Sequence, residues 1–186
     1  MIRYLFLVAF IFNGYESVAE ARKSYKAHVH GHATLGISVE KPTILAAELV
    51  VDSASIYGFE YAPVKPEDKK KQKEGLDKLK GSALELFKFD SSLGCKLTSA
   101  TVTVIQESKP KKKVYGYSRR KAKLSSGEHS EVKASYSFSC KKPLKGTKLG
   151  FGFSKQFKGI QELKVIPLGK SDKTQIIEND VGAVEL

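Results

Sequence analysis

Polar and apolar residues alternate from position 28 to 40. Val29, Ala33, Leu35, Ile37 and Val39 share one parity, and His28, His30, His32, Thr34, Ser38 and Glu40 share the other. A period of two means a strand buried on one side only. Lys41-Pro42 then reads as a turn, and Leu45, Ala47, Leu49 and Val51 continue the period, so a hairpin is expected. The same alternation returns at 129–140, with Val132, Ala134, Tyr136, Phe138 and Cys140 facing inward. Segment 97–105, rich in Thr and Val, reads as a strand, as do 161–168 and the short 174–177.

One segment carries helix punctuation instead. Pro66 opens it, Glu67 and Asp68 fill its first turn, and Gly81 follows its last lysine. Leu76 and Leu79 give it only a thin apolar stripe, which predicts a surface helix with a solvated lysine-rich face. Segment 57–66 has a glycine and two prolines and reads as a loop. Segments 83–89 and 149–157 are apolar but fit neither period. The expected fold class is α+β: one β-rich domain over 22–186, mainly antiparallel, with one or two surface helices.

Composition narrows the field. The chain has 186 residues, 41% hydrophobic and 28% charged, enough for one buried core and against wholesale disorder. No run of about 20 apolar residues is present, so no transmembrane segment is expected. The start is different in character. Arg3 precedes an eight-residue apolar block at 5–12, and Ala19-Glu20-Ala21 ends the stretch. A basic start, a short apolar centre and an A-x-A end predict a cleaved signal peptide over 1–21, and hence export. In an oxidising compartment the two cysteines, Cys95 and Cys140, are expected to form a disulfide.

The charge is lopsided: 32 Lys and Arg against 20 Asp and Glu, a net +12. Eight of the fifteen residues in 109–123 are basic, among them Lys111, Lys112, Lys113, Arg119, Arg120 and Lys121. That run predicts an exposed loop able to meet an anionic envelope surface or an acidic partner. Tyr115 and Tyr117 lie within it, but an exported protein rarely meets nucleic acid, so nucleic acid is not expected as a partner.

The candidate chemistry lies in the four histidines. His28, His30 and His32 occupy alternate positions of one predicted strand, and His129 and Glu131 share the polar face of another. Neutral imidazole is the commonest protein metal ligand near pH 7, and zinc takes three or four N, O or S donors. Strand positions two apart lie about 6.6–6.8 Å from each other, within reach of one ion, whereas His28 and His32 would be about 13 Å apart. Two of the three, or all three if Gly31 bends the chain, are therefore expected to join His129 and a carboxylate. No H-E-x-x-H, G-x-S-x-G, Walker or dinucleotide motif accompanies them, so no enzyme activity is expected.

These pieces in order resemble a known family. His28-Val29-His30-Gly31-His32-Ala33-Thr34-Leu35, Gly58-Phe59-Glu60, Gly94-Cys95-Lys96-Leu97, His129-Ser130-Glu131 and Tyr136-Ser137-Phe138-Ser139-Cys140 are similar to the motifs of ZrgA-type periplasmic zinc-uptake accessory proteins of bacteria. The resemblance spans roughly 28–166. It implies a small β-rich periplasmic domain that gathers or delivers Zn2+ for an ABC-type importer, one of whose periplasmic components would be a partner. It also implies that His28, His30, His129, Glu131 and Glu60 form the metal site. Two departures stand out. Tyr61 follows Glu60 where relatives usually have His, and a lysine- and arginine-rich stretch replaces their His- and Asp-rich loop. The alternative to a zinc accessory is a cationic envelope-binding module that works without metal.

Overall fold

The computed structural model describes residues 30–106, 129–168 and 173–186. The predicted signal peptide, His28 and the basic stretch 109–123 lie outside the described residues. The predicted hairpin forms, with β1 at His32–Lys41 and β2 at Ile44–Asp52 paired antiparallel in the register Leu35 to Leu49. Asp52 caps the short helix α1, Ser53–Tyr57. The lysine-rich segment is α2, Pro66–Gly81, with Pro at its start and Glu67 and Asp68 in the first turn; of its residues only Leu79 is buried. It is a surface helix, as its stripe requires.

The two segments without a period each divide. Residues 83–89 become α3, Ala83–Leu86, and a two-residue strand β3, Phe87–Lys88. Residues 149–157 become β6, Lys148–Phe151, and α4, Phe153–Gln156. Each switches conformation within seven to nine residues, too short for either period to register. The remaining strands are β4 (Lys96–Gln106), β5 (Ser130–Ser139), β7 (Glu162–Leu168), β8 (Gln175–Glu178) and β9 (Ala183–Glu185).

Six strands make the main sheet in the order β4-β5-β2-β1-β7-β8, and β3-β6-β9 make a second, smaller sheet. Among the described residues all strand pairings are antiparallel except β1 with β7, which run parallel, with His32 opposite Glu162 and Ala33 opposite Leu163. The α+β, mainly antiparallel expectation holds, with four helices rather than one or two among the described residues.

One face of the main sheet builds the core. Leu35, Leu45, Leu49, Phe138 and Val165 are fully buried there. Phe87 comes from the opposite layer, its ring 5.2 Å from Tyr136, 5.0 Å from Phe138 and 5.5 Å from Phe153. Tyr136 has its hydroxyl on the Leu79 carbonyl at 2.9 Å, which ties α2 to the sheet. Burial raises that phenol's pKa well above its ordinary value. At the lower end of the sheet, Cys95 and Cys140 form the expected disulfide.

Candidate metal centre

At the upper end of the sheet, four chain segments meet. The first is the entry to β1. Gly31 has a φ of +85°, a left-handed conformation that L side chains adopt only under strain, and β1 begins one residue later. Its carbonyl accepts hydrogen bonds from Gln161 N at 2.8 Å and Glu162 N at 3.0 Å, so the bend is anchored by β7. The bend also separates histidines that simple alternation puts on one face.

The second segment is the end of β2. Asp52 is buried, with 6% exposure, and its carboxylate accepts from Ser55 N at 2.7 Å and Ser55 Oγ at 2.8 Å. An Asp in this place satisfies one of the open N–H groups of the α1 terminus. Ser55 in turn packs against Gly159. A Cβ at 159 would stand 2.6 Å from Ser55 Cα, so only glycine allows this approach.

The third is the loop after α1. Gly58 ends the helix at φ +93°, and Phe59 and Tyr61 stack with ring centroids 4.6 Å apart. Glu60, between them, is turned the other way, its side chain only 14% exposed. The fourth segment is the start of β5. Ser130 Oγ donates to the Glu60 carbonyl at 2.6 Å and lies 2.9 Å from Ser53 Oγ. His129 Nδ1 is 2.5 Å from Glu60 Oε2.

Within this meeting point, ligand atoms of His30, Asp52 and Glu60 all lie within 4.8 Å of one another. His30 Nδ1 is 3.4 Å from Glu60 Oε1 and 3.9 Å from Asp52 Oδ1. Donor atoms held 2.0–2.2 Å from a tetrahedral zinc ion stand about 3.3–3.6 Å apart, so the spacing suits one ion after a small adjustment. Glu60 Oε1 is itself buried and accepts no hydrogen bond. A buried carboxylate oxygen left in that state costs about 1–3 kcal/mol or more, a cost that a bound cation removes.

The residues marked in the sequence are thus partly assembled. His30 and Glu60 come together. His129 reaches the group through the second oxygen of Glu60. Glu131 is the register partner of Asp52 across β2 and β5, and stands outside the three-residue group. His32 is also outside it. Past the Gly31 bend it points to Glu162, with Nδ1 3.1 Å from Oε1. Asp52 was not anticipated. In sequence it is the residue after the last strand position, followed by Ser53-Ala54-Ser55, and that pattern marks a helix cap rather than a ligand.

The chain matches the model of the ZrgA family, described as zinc uptake proteins, over residues 27–186. It is a member of the ZrgA family. The match covers all four segments of the candidate centre, and it links this ZrgA-family protein to zinc uptake. No curated protein matches the chain. The disulfide fits an exported member of the ZrgA family, and no helix among the described residues is long and apolar enough to cross a membrane.

Proposed function

We propose that this protein captures zinc reversibly in the periplasm, after removal of a signal peptide, and passes it to a component of an ABC-type importer. The zinc is cargo and no reaction is catalysed. His30 Nδ1, Glu60 Oε1 and Asp52 Oδ1 face the ion, and His129 holds the second oxygen of Glu60, fixing the carboxylate as outer-shell partners do. Support comes above all from the buried, unsatisfied Glu60 oxygen beside the His30 imidazole. His28 belongs to the same motif as His30 and lies outside the described residues.

Calorimetric zinc titration of residues 22–186 tests the reading. The unaltered protein should take up zinc. His30→Ala and Glu60→Gln should each abolish uptake or weaken it severely, and His129→Ala should weaken it about 10–100-fold. Equal uptake by all four forms would overturn the assignment. Because protons compete with zinc for imidazole and carboxylate, the affinity is expected to fall as pH is lowered from 7 to 5.

A further inference from the structure

The end of the main sheet farthest from the histidines has its own chemistry. Three segments are tied together there. The β1–β2 turn accepts hydrogen bonds from the chain after β5, with Cys140 N on Thr43 O at 2.8 Å and Leu144 N on Pro42 O at 2.7 Å. The start of β4 joins them through the disulfide and through the pairing of Lys96 with Ser139. These links gather Lys41, Lys96, Lys141, Lys142 and Lys145, all exposed. Among the described residues, none of the five has a carboxylate within salt-bridge distance, whereas Lys73 and Lys133 do.

Among the described residues, the carboxylates of this end include Glu40, Asp90 and Glu185, and Leu186 O accepts from Gly146 N at 2.7 Å, next to Lys145. Asp90 is already engaged, accepting from Ser92 N at 2.8 Å. Two apolar side chains stand beside the lysines without cover: Val39, 40% exposed, and Leu168, 61% exposed. Every cation of the patch is a lysine. Ammonium groups on flexible stems act as point charges and lack the fixed fork with which arginine reads one carboxylate or phosphate. Lysines in no salt bridge, of which Lys142 feels the field of a nearby carboxylate, Asp90, share this end with two exposed apolar side chains and match a planar and diffuse anionic surface better than a shaped pocket.

We infer that this lysine end docks on the surface of a bilayer containing anionic phospholipid. Strand β5 runs from Ser130 beside the metal centre to Ser139 at the patch, a rise of about 30 Å. Docked by its lysine end, the molecule therefore carries the metal centre well clear of the headgroups. Each lysine brought to an anionic leaflet strengthens partition about fivefold. The attraction fades with salt, since the screening length shortens from about 10 Å at 0.1 M to about 3 Å at 1 M.

The test is flotation of residues 22–186, without zinc, on vesicles of phosphatidylglycerol and phosphatidylcholine, and on phosphatidylcholine alone. Binding is expected only to the anionic vesicles and should disappear at about 1 M salt. Two separate variants, K141Q/K142Q/K145Q and K41Q/K96Q, should each weaken it more than about tenfold. A third, K69Q/K71Q/K80Q, removes three charges from α2, as many as the first patch variant, and should weaken it much less. Circular dichroism and an unchanged zinc titration would show that all variants are folded. Absence of binding to anionic vesicles would overturn the inference, as would equal binding to neutral ones. So would full binding by both patch variants, which would assign any membrane affinity to 109–123. Vesicle binding is read without zinc, so its failure and the failure of the zinc site are distinguishable.

Discussion

Glu60 is held from three sides by unlike interactions, and each can be removed separately. Ser130 fixes its backbone, His129 one oxygen, and the His30 imidazole faces the other. Ser130→Ala should lower stability by about 1–3 kcal/mol, because it leaves the Glu60 carbonyl and the buried Ser53 hydroxyl without this partner. Urea denaturation would measure the loss, and zinc affinity should fall with it as the carboxylate loosens. Asp90 gives a pH effect at the other end. Hydrogen bonding from Ser92, aided by Lys142, holds its carboxyl below the ordinary 3.8. A depressed value in the folded state means that its stabilisation is complete above the unfolded value and is lost as pH falls through the folded one. Asp90→Asn should therefore reduce the loss of stability below about pH 4 in acid melts. As members of the candidate site, His30 and Glu60 were legible in the sequence because a motif names them. Asp52 was not, since a carboxylate that caps a helix and one that faces a metal look the same in a linear pattern.

Among the elements, α2 and the β1–β2 hairpin could be read directly, because proline, glycine and a short-range period determine both. The pairing of β1 with β7 could not. It joins residues about 130 positions apart, and nothing within either segment states that they meet or run parallel. His32 shows the consequence for the site. The period of two grouped it with His30, but one left-handed glycine turns the chain between them, and β7 supplies Glu162 as its neighbour. Gly31→Ala tests this directly. Forcing a Cβ into that conformation should cost about 1–2 kcal/mol and move His30 relative to Glu60. Thermal melts would report the first effect and zinc titration the second.

For the whole molecule, the disulfide and the candidate metal centre sit at opposite ends of the same strands. Cys95 and Cys140 enclose a loop with a sequence separation of 45, which includes the whole of β4 and β5. Closure of a loop this size contributes about 4 kcal/mol in the chain-entropy model. Reduction should lower the melting temperature by roughly 10 °C for a chain of this length. Calorimetric scans with and without reductant would show it. The basic character was plain from composition, but the gathering of five lysines at one end required the turn, the disulfide and the end of β5 to be brought together.

The parallel place of β1 also sets an order of events during synthesis. A strand made among the first residues of the domain stays half-paired until 162–168 have emerged, because Gln161 and Glu162 supply the N–H groups that pin Gly31. A nascent chain that stops short of Gln161 thus has its histidines but not the bend that aims them. On the proposed function, loading with zinc must wait until Gln161 and Glu162 are in place, so an incomplete product would be a poor trap for scarce ions.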